Sequence, residues 1–376
     1  MRASPVVTPS LRRVELFERI RREADASGLT GLGVCSVEPF DQTRQDIIAA
    51  NSSGRAASLT FTFSNPERSS DVRSSFPWAE RLVVAAHAYL PTAGSPGAAA
   101  PGTGRIARFA EDDHYRPLRG GLHRIGELLR SGGHRAEVLA DDNRLVDRAA
   151  AVRAGVGWWG KSTMVLVPGA GPWVLLGSVV TDTLLPVTAP MRRSCGACDA
   201  CLPACPTGAL VAPGILDASR CLARWAQAPG WIPEEYRALM GDRIYGCDDC
   251  LEACPPGDRV LAAAVEPAGR VDVVALLGAD DDELRDRFDR FYIPRNDVRH
   301  LRRNALIVAG NSRDRAMVDA VAPFVEHSDP MLRGHAAWAL GRLGGEKAAT
   351  ALAVLRHDRD PAVAAEAAAA TAGTLG

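Results

Sequence analysis

Nine cysteines stand in the 376-residue chain, and eight of them fall between Cys195 and Cys254. Cys195, Cys198, Cys201 and Cys205, followed by Pro206, form C-x2-C-x2-C-x3-C-P. Bacterial ferredoxins use this run to hold cubane iron-sulfur clusters, and its fourth cysteine ligates the other cluster. Cys247, Cys250 and Cys254, followed by Pro255, repeat the last three members, and Cys221 between the runs supplies an eighth ligand. The set resolves into two [4Fe-4S] sites, one of Cys195, Cys198, Cys201 and Cys254, the other of Cys205, Cys221, Cys247 and Cys250. Structural zinc also takes four cysteines, but as separate C-x2-C knuckles rather than a triple run closed by Cys-Pro. Disulfide frameworks spread through small secreted domains, which this clustering in a long chain does not match. The ninth cysteine, Cys35 in Gly-Leu-Gly-Val-Cys-Ser, reads as a small buried apolar residue on a strand.

Two one-electron clusters close together form a wire, and a wire needs a terminus. The segment from Ala140 to Thr163 is the candidate, because it opens with Asp141 and Asp142 and ends in Gly157-Trp-Trp-Gly-Lys-Ser-Thr. Either aspartate can be a helix cap, accepting the orphan amide hydrogens of a first turn, or an acid that does chemistry. The glycines permit close approach of backbone to a ligand and equally serve a tight turn.

The elements that must position these residues are legible in part. Val14, Leu16, Phe17 and Ile20 have helical spacing and lead into strand-like Gly31–Ser36; Arg81 to Leu90 and Trp173 to Val180 read as buried strands. Thr92 to Gly104, rich in Gly, Ala and Pro, reads as a loop, and Leu118, Leu122, Ile125, Leu128 and Leu129 recur on one helical face. Beyond the cysteines, Leu301, Leu332 and Val363 recur every 31 residues, as do Ala305, Ala336 and Ala367, and Asp329-Pro330 returns as Asp360-Pro361. Such a period marks stacked helix pairs of HEAT-like type. His335 and Trp338 fall within its Ala-rich helix and read as packing residues. The expected fold class is α+β, with a mixed α/β domain over residues 1–190, a ferredoxin-like di-cluster module over 191–265 and helical repeats over 266–376.

Length alone implies two or three cores. With 44 basic against 45 acidic residues, bulk charge demands no nucleic-acid partner. Local charge differs: Arg295, Arg299, Arg302, Arg303, Arg313 and Arg315 crowd the first repeat, with Arg333 and Arg342 in the second. They suit either phosphate contact or a solvated helical face. No apolar run approaches the roughly 18 residues of a membrane span, so a soluble cytoplasmic protein is expected.

The string from Asp147 to Lys161, the cysteine run from Cys195 to Leu210, and Arg243-Ile-Tyr-Gly-Cys-Asp-Asp-Cys together resemble the epoxyqueuosine reductase family, and the likeness runs from about residue 14 onward. That resemblance implies a cobalamin-dependent enzyme, related in mechanism to reductive dehalogenases, that completes queuosine at the tRNA wobble position. It sets the proton-donating aspartate at Asp141. It lays Gly157, Trp158, Gly160, Lys161, Ser162 and Thr163 along the corrin and brings Cys247 and Asp248 to cobalamin from the cluster side. It implies a tail that grips the anticodon stem, an external low-potential electron donor, and a monomer without membrane attachment. The sequence departs from the family pattern in Asp142-Asn-Arg after the aspartate, in Asp113-His-Tyr for Asp-Tyr-His, and in Ser69, beside Arg68, at a basic cobalamin contact. A cobalamin reductase of a small molecule, and an electron carrier without catalysis, are the competing functions.

Overall fold

A computed structural model describes residues 9–90, 101–263 and 269–373. The part of the expected Thr92 to Gly104 loop that precedes residue 101 lies outside them. In chain order the elements used below are helix α1 (Pro9–Ala26), strands β1 (Gly31–Ser36), β2 (Arg81–Ala88) and β3 (Thr103–Ile106), helix α2 (Tyr115–Ser131), strand β4 (Ala136–Leu139), helix α3 (Asp147–Arg153), strands β5 (Trp158–Trp159), β6 (Val165–Leu166), β7 (Val174–Thr181), β8 (Arg243–Tyr245) and β9 (Arg270–Asp272), and helices α4 (Arg299–Ser312), α5 (Pro330–Leu343) and α6 (Pro361–Gly373). They fall into two compact units, one drawn from within Met1–Thr92, Asp113–Ser219 and Asp249–Ala264, the other from within Ala93–Asp112, Arg220–Asp248 and Val265–Gly376.

The first unit is built on an antiparallel sheet in the order β1-β2-β7-β4. Its central strand β2 reads as one apolar run because both faces are covered: Leu82, Val83, Val84, Ala85 and Ala86 are all fully buried. Alternate residues of a strand point to opposite faces. Leu82, Val84 and Ala86 therefore share a cluster with Ala149, Ala150 and Ala151 of α3. Ala85 pairs with Gly177 on the other face, and there Leu122 of α2 comes so close that a Cβ on Gly177 would meet it at 2.6 Å. Of the expected helical face, Leu118, Leu122, Ile125 and Leu129 are fully buried and Leu128 is half-buried; each of the four contributes about 2 kcal/mol of hydrophobic stabilisation. Cys35 sits on β1 at 2% exposure, as a small apolar residue would.

In the second unit the 31-residue period becomes three stacked helices, α4, α5 and α6. Leu301, Leu332 and Val363, and likewise Ala305, Ala336 and Ala367, all lie in one buried cluster. The repeated Asp-Pro pairs are N-caps: Asp329 accepts from the Met331 amide at 2.7 Å and Asp360 from that of Ala362 at 2.9 Å. His335 and Trp338 pack inside, as their position predicted. Strands β8, β3 and β9 make a small mixed sheet in that order, β8 running parallel to β3 and β9 antiparallel to it.

Several arginines of this unit are neither phosphate contacts nor part of a solvated face. Arg302, Arg303 and Arg333 are buried. Arg333 closes a two-pronged pair with Asp358 at 2.7 and 2.8 Å, Arg302 pairs with Asp281, and Arg299 bridges Asp297 and Asp329. Arg303 donates to the carbonyls of Gly230 at 2.6 Å, Ala228 at 2.7 Å and Trp225 at 3.0 Å. Beside it, Asn304 donates to the carbonyls of Ala226 and Ile244, both at 2.8 Å. Together they clamp the segment that follows Cys221 and the strand that precedes Cys247. Among the described residues no helix is long and apolar enough to cross a membrane.

Replacing Arg303 by Met should lower unfolding free energy by about 3 kcal/mol, since three buried carbonyls lose a charged donor. Replacing exposed Arg315 by Ala should change it by less than about 0.5 kcal/mol. Denaturant titration of the two variants checks both.

Candidate active site and cluster cavity

The cysteine chemistry begins with a short hairpin. The Gly157-Trp-Trp-Gly-Lys segment, read as a loop, instead forms β5 and pairs with β6, Trp158 opposite Leu166 and Trp159 opposite Val165. The glycines serve this turnback: a Cβ on Gly157 would meet the Leu166 carbonyl oxygen at 2.5 Å, and one on Gly160 the Met164 carbonyl oxygen at 3.1 Å.

One side of the hairpin faces the first four cysteines. Trp158, Gly160, Lys161 and Ser162 line a cavity of about 140 Å³ together with Cys195, Cys198, Cys201 and Cys254. The Lys161 backbone N–H donates to Cys195 Sγ at 3.4 Å. Burial, joined by the charges of Cys195, Cys201 and Cys198, pushes the Cys254 thiol up to about 12. Four thiols this close resist losing their protons together, and bound cations are what relieve them. Among the described residues no three Cys, His, Asp or Glu side chains converge on a single ion.

The second four are divided between the units. In the first, Cys205 Sγ accepts the Ala209 N–H at 3.2 Å and lies 3.6 Å from the Thr207 hydroxyl. Burial would raise this thiol, but these donors and the Leu210 amide outweigh it and draw it below its usual value. Such N–H contacts to sulfur tune cluster potentials. Cys250 lies on the short helix Asp249–Glu252. In the second unit Cys221 immediately precedes the helix Leu222–Gln227, and Cys247 and Asp248 follow β8. Asp248 Oδ2 accepts the backbone N–H of Arg108 at 2.7 Å, which fixes the chain just past β3.

The acids are placed differently from the capping reading. Helix α3 starts at Asp147 with Val146 at its N-cap, so neither Asp141 nor Asp142 caps it. Asp142 instead forms a fork with Arg144, Oδ1 to Nε at 2.9 Å and Oδ2 to Nη2 at 2.6 Å, and this pair holds its carboxyl below the usual range. Asp141 has a left-handed backbone, φ 55°. An aspartate tolerates that conformation, at about 1 kcal/mol. Burial raises its carboxyl and Asp142 adds to the rise, while Arg119 opposes it. Two adjacent carboxyls whose environments push their proton affinities apart are the arrangement that separates an acid from a permanent anion.

Around Asp141 stand residues that the motif reading did not single out. Tyr115 is raised by burial and then by the charges of Asp141 and Asp147, and Arg119 lies 5.1 Å over its ring. Asp147 is raised well above 3.8 by burial, with Asp141 and Asp142 adding to it, and its Oδ1 is shielded from water without a hydrogen-bond partner. Burial weakens Arg148, which the charges of Tyr115, Asp147 and Cys250 support in turn, and its Nη1 donates to the Thr163 carbonyl at 3.3 Å. The hairpin therefore reaches from the cluster cavity, at residues 160–162, to the acid wall at Thr163. Two cues were available: Tyr115 and Arg119 are one helical turn apart, and Asp147-Arg148 opens the helix of the recognised string.

Ser69 is no ligand contact, because it is fully buried. Its hydroxyl donates to the Thr62 carbonyl at 2.9 Å and its own carbonyl accepts the Val146 N–H at 3.1 Å. It thereby ties the turn carrying Leu59 and Phe61, which are 39% and 47% exposed, to the chain entering α3, and Trp159 is likewise 44% exposed. Exposed apolar side chains and polar groups in the same unit are the kinds of surface that a largely apolar ring with polar fringes, such as a corrin, would need.

Comparison with known proteins bears on these features directly. A family profile described as a 4Fe-4S double cluster binding domain matches residues 194–257, and one of HEAT repeats matches residues 295–372. The epoxyqueuosine reductases of Bacillus cereus and Bacillus subtilis are each 29% identical, over 349 and 344 residues, covering 88% of this chain and 90% and 88% of theirs. That of Shewanella oneidensis is 38% identical over 177 residues, 44% of this chain and 45% of its own. A crystal structure of an epoxyqueuosine reductase with an epoxyqueuosine-modified tRNA-Tyr stem loop superposes with a TM-score of 0.89 at 27% identity, over 97% of this chain and 100% of that one. The Bacillus subtilis enzyme, with its aspartate-bearing catalytic loop swung out of the active site, superposes at 0.86 with 26% identity, over 96% and 99%.

A raised carboxyl is most stable protonated, so it favours folding fully below the unfolded pKa and disfavours it progressively as pH climbs toward the folded value. Unfolding free energies of the wild type and Asp147→Asn should therefore agree best below pH 3.8. The variant should gain on the wild type as pH rises above 3.8. Equal pH profiles would remove Asp147 as a buried acid.

Proposed function

We infer that this chain, a homologue of the epoxyqueuosine reductases over most of its length, is a cobalamin-dependent epoxyqueuosine reductase that yields queuosine in a tRNA anticodon loop. The observation that carries the reading is the acid wall. Asp141, Tyr115, Arg119, Asp147 and Arg148 gather in one unit, and Arg148 feels the charge of the cluster cysteine Cys250. An electron carrier without catalysis has no use for a raised aspartate beside a deliberately ionised one.

Reducing the epoxide to an alkene consumes two electrons and two protons and releases one water. Bound in this chain, the two clusters and cobalamin supply electrons one at a time and a cobalt centre reducing enough to open a carbon–oxygen bond. Cys195, Cys198, Cys201 and Cys254 hold one cluster, and Cys205, Cys221, Cys247 and Cys250 the other. On the family resemblance, Gly157 to Thr163, with Cys247 and Asp248, would border the corrin. The partial desolvation of Asp141 shifts its carboxyl toward the protonated form, and that proton is the one available to the departing oxygen. Arg119 then stabilises the carboxylate left behind. Asp142, neutralised by Arg144, adds to the proton affinity of Asp141 without competing as a donor. We assign these roles to residues 1–190 for cobalamin and catalysis, 191–265 for the clusters and 266–376 for the RNA stem, in a soluble cytoplasmic monomer fed by an external low-potential donor.

Asp141→Asn should keep iron and cobalamin while turnover of epoxyqueuosine in tRNA falls by about 10²–10⁴-fold, followed by mass spectrometry of the nucleosides. Undiminished turnover sinks the proton-donor role, and cobalamin binding without any queuosine from the wild type points to a small-molecule substrate. Arg295, Arg313 and Arg315 remain exposed on the repeat unit. Changing all three to Gln should weaken binding of the stem loop and flatten its salt dependence, the log–log slope falling by about 0.9 for each phosphate left unneutralised, whereas Arg333→Gln should leave that slope unchanged.

A further inference from the structure

The cavity of the first four cysteines opens to water on the side of Cys198, which is exposed. Next to it lies a wider, open groove of about 560 Å³, which shares Trp158, Ser194 and Pro256 with the cluster cavity and is bounded by Arg192 and Arg193. Both arginines are exposed. The Arg193 guanidinium lies over the Trp158 ring, 5.5 Å from its centroid, and the other surroundings of that ring are Leu166, Cys254, Met191 and Cys195. One indole thus separates the groove from two cluster sulfurs. The acid wall makes no use of this groove: it is linked to Cys250, a ligand of the other cluster.

We propose that this groove is the docking site of a small acidic one-electron carrier protein, which reduces the cluster of Cys195, Cys198, Cys201 and Cys254. The proposal rests on the di-cluster reading and deepens it. In each visit one electron leaves the reduced centre of the carrier and enters an oxidised [4Fe-4S]²⁺ cluster, giving [4Fe-4S]⁺; no proton moves, and two visits supply one turnover. The reasons are proximity and charge. The shared wall of Trp158, Ser194 and Pro256 gives a short path to the cluster cavity, and two arginines steer a carboxylate-rich surface and hold it. An RNA strand is the poorer occupant, because Trp158 is 8% exposed and offers no face on which a base could stack.

The test uses the reconstituted full-length protein and flavodoxin hydroquinone as the carrier. Bleaching of cluster absorbance is followed by anaerobic stopped flow, and binding of oxidised flavodoxin by calorimetry, with no tRNA present. R192E/R193E should slow bleaching by flavodoxin about tenfold or more and weaken its binding to match. Bleaching by dithionite should stay unchanged, and rising salt should slow the wild type toward the variant. R192E alone, which keeps the Arg193–Trp158 pair, should move the same way to a lesser degree. Equal flavodoxin rates in wild type and R192E overturn the proposal, as does a loss of stem-loop binding by R192E/R193E, titrated separately by calorimetry, with no loss of flavodoxin binding. A wild type that takes up no second cluster is a different failure, that of the di-cluster reading itself.

Discussion

Four sulfurs crowded around a cavity of about 140 Å³ repel one another as thiolates, and the structure around Cys254 is organised by that repulsion. A cluster removes the conflict only if the chain holds the run of Cys195, Cys198 and Cys201 together with the distant Cys254. The hairpin of β5 and β6 does this for the first set: its closure needs Gly157 and Gly160, it offers the Lys161 N–H to Cys195, and Trp158 fills the space behind Cys254. For the second set the work is shared. Donors at Thr207 and Ala209 hold Cys205, while Arg303 and Asn304 clamp the chain that carries Cys221 and the strand before Cys247. A buried arginine with carbonyl partners in place of a carboxylate thus positions redox ligands from a distance.

What could be read from the sequence follows from how local each signal is. Cysteine spacing is set within a few residues, and the 31-residue period survives because each helix packs on its neighbour's equivalent positions, so both were legible. Charge was not. Eight arginines look alike in a string, yet Arg303 binds carbonyls, Arg333 binds Asp358 and Arg299 binds two aspartates. Only the partners, scattered over a hundred residues, decide which remain for phosphate. The two aspartates were ambiguous for a similar reason: the cap reading assumed a helix that starts six residues later, and the pairing of Asp142 with Arg144 two positions on resembles any i,i+2 coincidence until the fork closes. A two-residue strand such as β5 carries no periodicity at all, which is why the tryptophan pair read as loop.

The acid wall gains its character from arithmetic rather than from any single group. Asp141, Asp142 and Asp147 are three carboxyls in one neighbourhood, with Arg119, Arg144 and Arg148 beside them. Arg144 is spent on Asp142, and Arg148 is shared among Tyr115, Asp147 and Cys250. That leaves Arg119 as the cation facing Asp141, and burial outweighs it. The charge of Cys250 supports Arg148 alongside those of Tyr115 and Asp147, so the first-turn arginine of α3 is the group that links the acids to the cysteine side.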